Sequence, residues 1–209
     1  MRAKSSTKNY QRMPEALLFP VYEKKMPSDF ASPLWQQKDF IKIPGKEVAL
    51  LMASLPQVMD WLHSRGTTQM FTFSPCETPL LLLDKNVSFT RLLFHYDSTP
   101  GSAAVISAFL EMFELQIKES QSIIISPSFI SKPKLAEEQS VIRLIQSHTK
   151  ETSFIKFNFT KIGDFWSYAM QNNCSLLVTT KSYQADLAHV LFYFYKGERW
   201  PNRLSFYLA

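Results

Sequence analysis

The stretch Arg91–Ser102, RLLFHYDSTPGS, contains the pattern that decides the fold. Its apolar run Leu92–Phe94 is typical of a strand that is buried on both faces. Thr99 is suited to cap the helix that follows, with Pro100 at the first helical position, where the missing N–H costs nothing. Asp97 is therefore predicted to lie at the carboxyl end of a strand, beside a helix N-terminus. In open α/β sheets, ligands bind at such strand ends.

After residue 90, strand and helix patterns alternate regularly to the end of the chain. Apolar runs predict strands, and apolar residues repeating every three or four positions predict helices. The alternation implies parallel pairing with right-handed crossovers, and hence a three-layer α/β/α sandwich with a five-stranded parallel sheet. The predicted strands are 91–96, 122–126, 153–159, 175–179 and 204–208, and the predicted helices are 100–119, 134–149, 162–170 and 187–195. In the third strand, apolar and polar residues alternate, which predicts an edge strand.

The first 90 residues are less regular. Residues 1–13 form a polar, basic segment that is predicted to be a disordered tail. Residues 14–84 are interpreted as a shortened or degenerate copy of the second half, because 40–43 and 154–157 are similar runs that each precede a helix pattern. The predicted elements are strands at 16–22, 40–43, 70–73 and 80–83, and a helix at 47–65 that Pro56 kinks or splits. Pro20 confines the first strand to a sheet edge or ends it.

Composition narrows the class of protein. The chain has 209 residues, of which 45% are hydrophobic and 20% are charged, as expected for a globular protein of one or two domains. A net charge of +5 indicates a solvated basic surface more than a nucleic-acid site. The two cysteines, Cys76 and Cys174, lack metal-type spacing and are interpreted as thiols in a reducing compartment. We find no apolar run long enough for a membrane span and no signal-peptide core, so we expect a soluble, cytoplasmic protein.

The second half resembles the universal stress protein family. The resemblance rests on the turn D-x-T-P-x-S of Asp97–Ser102, on the two alanines after it, and on the order and length of the elements. It covers residues 91–209 and, as a degenerate first unit, residues 14–84. Pro79–Leu83 is similar to the closing strand before the junction in tandem members. The resemblance implies an adenine nucleotide alpha hydrolase-like fold and a role in the stress response.

Family members that bind ATP have a glycine-rich segment, G-x2-G-x9-G-S/T, after the fourth strand. Phosphates need backbone N–H groups that no side chain obstructs. The matching stretch here, Thr179–Asp186, contains no glycine, and none occurs between Gly163 and Gly197. We therefore expect no cofactor, although ATP stays open. The residues still suited to contact a ligand are Asp97, Ser98, Thr99, Thr179, Thr180, Lys181 and Ser182.

Patterns of catalysis and of metal binding are missing from the sequence. The third predicted strand ends in Phe159–Lys161, without the acceptor Asp of a receiver domain. There is no G-x-G-x-x-G or P-loop, and Ser126 lacks the G-x-S-x-G elbow of hydrolases. The four histidines have no ligand spacing, and Cys174 is expected to be buried rather than nucleophilic. We therefore expect a protein that is not an enzyme and holds no metal.

Two functions stay open. The first is a non-catalytic, universal stress protein-like protein that acts through self-association or partner binding in a stress response. Its last strand would be covered in a homodimer or by pairing of tandem units, through Leu204, Phe206, Tyr207 and Leu208. The alternative is a binding module for an adenine nucleotide or another anion near Asp97. A nucleic-acid or other anionic partner of the basic tail is a weaker possibility.

Overall fold

The computed structural model describes residues 13–27, 30, 45–64, 78–84, 88–194 and 204–209. Within these residues the chain forms one mixed sheet of eight strands with helices on both faces. The strands are β1 (Phe19–Val21), β2 (Leu50–Ser54), β3 (Leu80–Leu83), β4 (Arg91–His95), β5 (Gln121–Ser126), β6 (Glu151–Lys156), β7 (Leu176–Thr179) and β8 (Ser205–Leu208). The helices are α1 (Leu55–Ser64), α2 (Pro100–Met112), α3 (Glu114–Ile117), α4 (Lys132–His148), α5 (Ile162–Gln171) and α6 (Gln184–Phe194).

The strand order is β1-β2-β3-β8-β7-β4-β5-β6. Strands β4 to β8 pair only in parallel with one another, which confirms the predicted five-stranded parallel sheet. The first strand of this half, β4, lies in its middle, so the chain winds outward first through β5 and β6 and then through β7 and β8. The order therefore reverses between β4 and β7. In such a sheet, the crevice at this reversal is the usual place for a ligand.

Two apolar cores, one on each face of the sheet, confirm the three-layer arrangement. One core joins the sheet to α2, α3 and α4, and its largest fully buried side chains include Phe94, Phe109 and Tyr207. The other joins the sheet to α1, α5 and α6, and it includes Phe165 and Phe206. Alternate residues of each strand belong to opposite cores, as expected for strands that are covered on both faces.

Residues before β4 extend the same sheet. Strand β2 pairs in parallel with β3, and β1 pairs antiparallel with β2 at the end of the strand order. Strand β3 pairs antiparallel with β8, with Leu82 opposite Phe206 and Leu80 opposite Leu208. The last strand of the chain therefore lies inside the sheet, between β3 and β7. Strand β8 is thus covered within the chain, by a strand that precedes β4.

The predicted helix at 47–65 is wrong in its first half. Leu50–Ser54 is strand β2, and the helix begins only at Leu55. The run Leu50–Ala53 is apolar at every position, so helix spacing and a buried strand fit it equally well. Pro56 lies in the first turn of α1 and does not kink it, because the N–H that proline lacks has no partner there.

Other predicted boundaries changed less. The predicted helix at 100–119 is broken at Phe113, whose backbone is not helical, and continues as the short α3. The strand predicted at 153–159 is Glu151–Lys156, and it is the outermost strand beside β5, as its alternation predicted. Pro20 lies in β1, at the opposite edge. The predicted tail and the predicted strands at 40–43 and 70–73 lie outside the described residues, apart from Met13.

We predict that Phe206→Ala lowers the free energy of unfolding by about 3–5 kcal/mol, because it empties a fully buried site in the middle of the sheet. The matched control is Phe129→Ala, since Phe129 is 89% exposed. We expect that control to change stability by less than about 0.5 kcal/mol. Chemical denaturation of both variants measures the difference. Equal effects would contradict the central position of β8.

Candidate functional site

The turn after β4 is built as its sequence predicts. The helix α2 begins at Pro100, and the Oγ1 of Thr99 accepts a hydrogen bond from the backbone N–H of Ser102 at 3.1 Å. The Asp97 carboxylate accepts two hydrogen bonds from Thr99, at 2.9 Å from the backbone N and at 2.6 Å from Oγ1. Ser98 between them has a φ of 66°, in the left-handed region. Asp97 and Thr99 therefore hold this turn together.

Asp97 stays ionised in this position. Partial burial raises the pKa of its carboxyl, but hydrogen bonds from Ser102 and Thr99 outweigh that effect and lower the pKa below its ordinary value. The two hydrogen bonds from Thr99 occupy one of its two carboxylate oxygens, Oδ1. The chain itself therefore supplies the donors that stabilise the charge, and no ligand is needed to explain it.

The carboxyl end of β7 lies beside the end of β4. The Oγ1 of Thr179 is 2.9 Å from Nδ1 of His95, and both side chains are buried. The Oγ atoms of Thr180 and Ser182 lie 2.5 Å apart. Lys181 donates its backbone N–H to the carbonyl of the residue after β8, at 3.0 Å, and its ammonium group donates to a carbonyl just before β3. The hydroxyl and amine groups from Thr179 to Ser182 that were predicted to bind a ligand thus have partners within the chain.

Three rings occupy the crevice between β4 and β7. The ring centroid of His95 lies 4.1 Å from that of Phe165 and 5.0 Å from that of Tyr183, and the latter two are 6.0 Å apart. Tyr183 comes from the short 3-10 turn Lys181–Tyr183, which precedes α6. The ends of β4 and β7, which lead to Asp97 and Thr179, therefore lie side by side, and an aromatic cluster packs at these strand ends.

Burial lowers the pKa of His95 from 6.5 to about 4, although the nearby negative charge of Asp97 partly opposes this effect. His95 is therefore neutral at physiological pH, and its ring is suited to pack against Phe165 and Tyr183. Its Nδ1 contact with Thr179 gives the ring one hydrogen-bonding partner. These contacts give His95 a structural role in packing the ends of β4 and β7.

A second polar cluster was not predicted. Glu138 of α4 is only 2% exposed, and its carboxylate lies 2.5 Å from the ammonium group of Lys156 at the end of β6. Ser126, at the end of β5, donates its hydroxyl to the same carboxylate. The sequence did hold a signal, because Glu138 lies at helical spacing from the buried Val141, Ile142 and Ile145. A charged residue on that apolar face has to find a partner.

Several classes of site are missing from the described part of the chain. No group of three or more His, Cys, Asp or Glu side chains within it is placed to hold a metal ion. None of its helices is long and apolar enough to cross a membrane. Cys174 is buried, and burial raises the pKa of its thiol to about 11, so it is not a reactive thiolate.

Comparison with known proteins gives matches in fold alone. No family model and no curated protein matches the chain. A universal stress protein in complex with cAMP is 12% identical, with 57% of this chain and 96% of that one covered and a TM-score of 0.37. A universal stress protein family member from Burkholderia pseudomallei is 12% identical, with 56% and 95% covered and a TM-score of 0.36. Protein Rv1636 from Mycobacterium tuberculosis is 14% identical, with 45% and 72% covered and a TM-score of 0.35.

Two of these three proteins are universal stress proteins, the family that the sequence resembles. Identities of 12–14% and TM-scores of 0.35–0.37 transfer neither activity nor ligand to this chain. The α/β sandwich itself follows from the strand order and the two cores described above.

We predict that stability depends on the protonation of His95. Because its pKa is lower in the folded chain, the unfolded chain alone takes up this proton as the pH falls from 6.5 to about 4. Above pH 6.5, neutral His95 contributes about 3 kcal/mol to the free energy of unfolding. This contribution is lost as the pH falls from 6.5 to about 4. Denaturation at a series of pH values measures it.

The His95→Asn variant, which keeps a polar group near Thr179, should lose most of this pH dependence. His148→Asn is the control, since His148 lies at the C-terminal end of α4, away from the crevice. An unchanged slope in His95→Asn would show that other groups cause the pH dependence.

Proposed function

We propose that this chain is a non-catalytic, universal stress protein-like protein that acts by binding a partner, without nucleotide in its β4–β7 crevice. The observation that carries the proposal is the occupation of this crevice by the chain's own side chains. The Tyr183 ring packs against His95, and Thr179 is hydrogen-bonded to the same histidine. A nucleotide would have to displace this cluster.

The backbone of the turn after β7 supports the same conclusion. A phosphate-binding loop needs several backbone N–H groups that point at the ligand. Here the N–H of Lys181 donates to the carbonyl of Ala209 at 3.0 Å, and the N–H of Tyr183 donates to the carbonyl of Thr180 at 3.2 Å. Two backbone donors of the turn are thus already used within the chain, and side chains stand where a phosphate-binding loop has glycines.

The alternative function is binding of an adenine nucleotide, ATP or AMP, or of another anion, at Asp97 and the neighbouring strand ends. One observation favours it: the Asp97 carboxylate is only partly buried and lies at the point where the strand order reverses. Its hydrogen bonds from Thr99 explain the carboxylate without a ligand, and for that reason we prefer the first function.

Titration with ATP, AMP and cAMP separates the two functions. We expect no heat of binding up to millimolar ligand and a melting temperature that changes by less than about 1 °C. A ligand present at 100 times its Kd would stabilise the protein by about 2.7 kcal/mol and raise the melting temperature by several degrees. Heat of binding that Asp97→Asn abolishes would instead establish the nucleotide-binding alternative.

We further propose that the protein acts in the cytoplasm, in a stress response, and that pairing of β3 with β8 replaces pairing between two chains. The paired residues of β3 and β8 are buried, including Leu82 on β3 and Phe206 on β8. The association edge predicted for a homodimer is thus already occupied within the chain, and the partner has to bind elsewhere.

Light scattering on the purified chain tests the intramolecular pairing. We expect a mass near the 24.2 kDa of one chain over a wide range of protein concentrations. A mass of twice this value at micromolar concentration would contradict the proposal and would indicate self-association as the mode of action.

A further inference from the structure

Two buried hydroxyl groups at the end of β4 have no hydrogen-bonding partner within the described part of the chain. Tyr96 is 0% exposed and Ser98 is 7% exposed, and neither the phenol oxygen nor the Ser98 Oγ makes a hydrogen bond. Leaving a buried hydroxyl unpaired costs about 1–3 kcal/mol. Two such groups, two residues apart, mark this strand end as a place where a bound acceptor would offset that cost.

The covering helix is α4. Its residues Lys134, Glu137 and Glu138 lie on one face, at spacings of three and four residues. The ammonium group of Lys134 donates to the backbone carbonyl of Ser98 at 2.6 Å. Tyr96 belongs to the same apolar core as Val141 and Ile142 of this helix. Burial, followed by the negative charges of Glu137 and Glu138, raises the pKa of Tyr96 to about 12, so the phenol stays protonated.

The first turn of α4 is also poorly capped. Ser131 occupies the N-cap position, but its side chain makes no capping hydrogen bond, and Pro133 in the first turn has no N–H. The partial positive charge of a helix N-terminus, about half an elementary charge, is therefore not offset by a cap. Lys132 is exposed at the same end.

The charges around these hydroxyls nearly cancel. Glu138 is neutralised by its partner at the end of β6, at 2.5 Å. The two lysines of the first turn, Lys132 and Lys134, then balance in number the two remaining carboxylates, Asp97 and Glu137. The helix N-terminus adds a partial positive charge. This balance accommodates one negative charge and disfavours the several charges of a polyphosphate.

We propose that Tyr96, Ser98 and Lys134 bind the carboxylate of a small organic acid beneath the N-terminal turn of α4. The phenol, the hydroxyl and the ammonium group each donate to a carboxylate oxygen. The site lies on the α4 side of β4 and uses none of the residues from Thr179 to Ser182. It therefore goes beyond the proposed function, which concerns the crevice between β4 and β7.

Acetate is the probe. Saturation-transfer NMR on the acetate methyl group detects binding directly, and thermal unfolding in sodium acetate against sodium chloride of equal ionic strength measures stabilisation. We expect saturation transfer to acetate and a melting temperature raised by at least about 2 °C at 100 times the Kd. Inorganic phosphate at neutral pH, with its higher charge, should bind more weakly.

Variants identify the donors. Tyr96→Phe, Ser98→Gly and Lys134→Met should each weaken acetate binding about fivefold or more, as expected for one lost hydrogen bond to a charged group. Tyr207→Phe is the matched control, because the Tyr207 hydroxyl is also buried and unpartnered in the same core but belongs to β8. Without acetate, Tyr96→Phe should unfold at a temperature no lower than that of the wild type, because the variant loses a buried hydroxyl that has no partner among the described residues.

Several results would overturn the proposal. The first is an absence of any response of the wild type to acetate. The second is an equal loss of acetate binding in Tyr96→Phe and Tyr207→Phe. Tighter binding of phosphate than of acetate would contradict the inference that the site accommodates only one negative charge. A lower melting temperature of Tyr96→Phe, with no response to acetate, would assign the two hydroxyls to an internal water molecule.

Discussion

The antiparallel pairing of β3 with β8 is the contact on which the rest of the structure depends. All four residues of β8 are at most 1% exposed, and β8 is the last strand of the parallel half. A strand of this kind, left as a sheet edge, would present unpaired N–H and C=O groups together with an apolar surface. The N-terminal strands remove that edge, and they bring Leu80–Leu83 into both apolar cores. The described residues before β4 are therefore part of the same folding unit as the parallel sheet.

The pairing of β3 with β8 also explains the altered turn after β7. Lys181 forms hydrogen bonds next to both strands. Its backbone N–H donates to the carbonyl of Ala209, just after β8, and its ammonium group donates to the carbonyl of Thr78, just before β3. Tyr183, from the same turn, packs into the crevice beside His95. A glycine-rich loop would leave its backbone N–H groups available for a phosphate. In this chain the turn joins three strands of the sheet, and a ligand would compete with the contacts that hold the two halves together.

The sequence predicted the parallel half well because local patterns determine it. Buried strands and amphipathic helices differ in period, and the cap at Thr99 marks one boundary without ambiguity. The strand at Leu50–Ser54 was missed because an all-apolar run has no period of its own. Pairing between β3 and β8 joins residues more than 120 positions apart, and no local pattern specifies it. Glu138 was predictable from its position on an apolar helical face, whereas its partner on β6 was not.

The polar groups at the strand ends differ in what they reveal about binding. In the sequence, Asp97 was the residue that most strongly suggested a ligand site. In the structure, Thr99 donates two hydrogen bonds to its carboxylate. The turn therefore accounts for this carboxylate with or without a ligand. Ser98 was predicted only as one of the ligand-contacting residues at the strand ends, and Tyr96 was not predicted at all, because a hydroxyl attracts no attention until the fold buries it without a partner. A buried donor without an acceptor has a cost that the fold does not recover by itself. Among these residues, the unsatisfied hydroxyls are therefore stronger evidence for a bound molecule than the conspicuous acid.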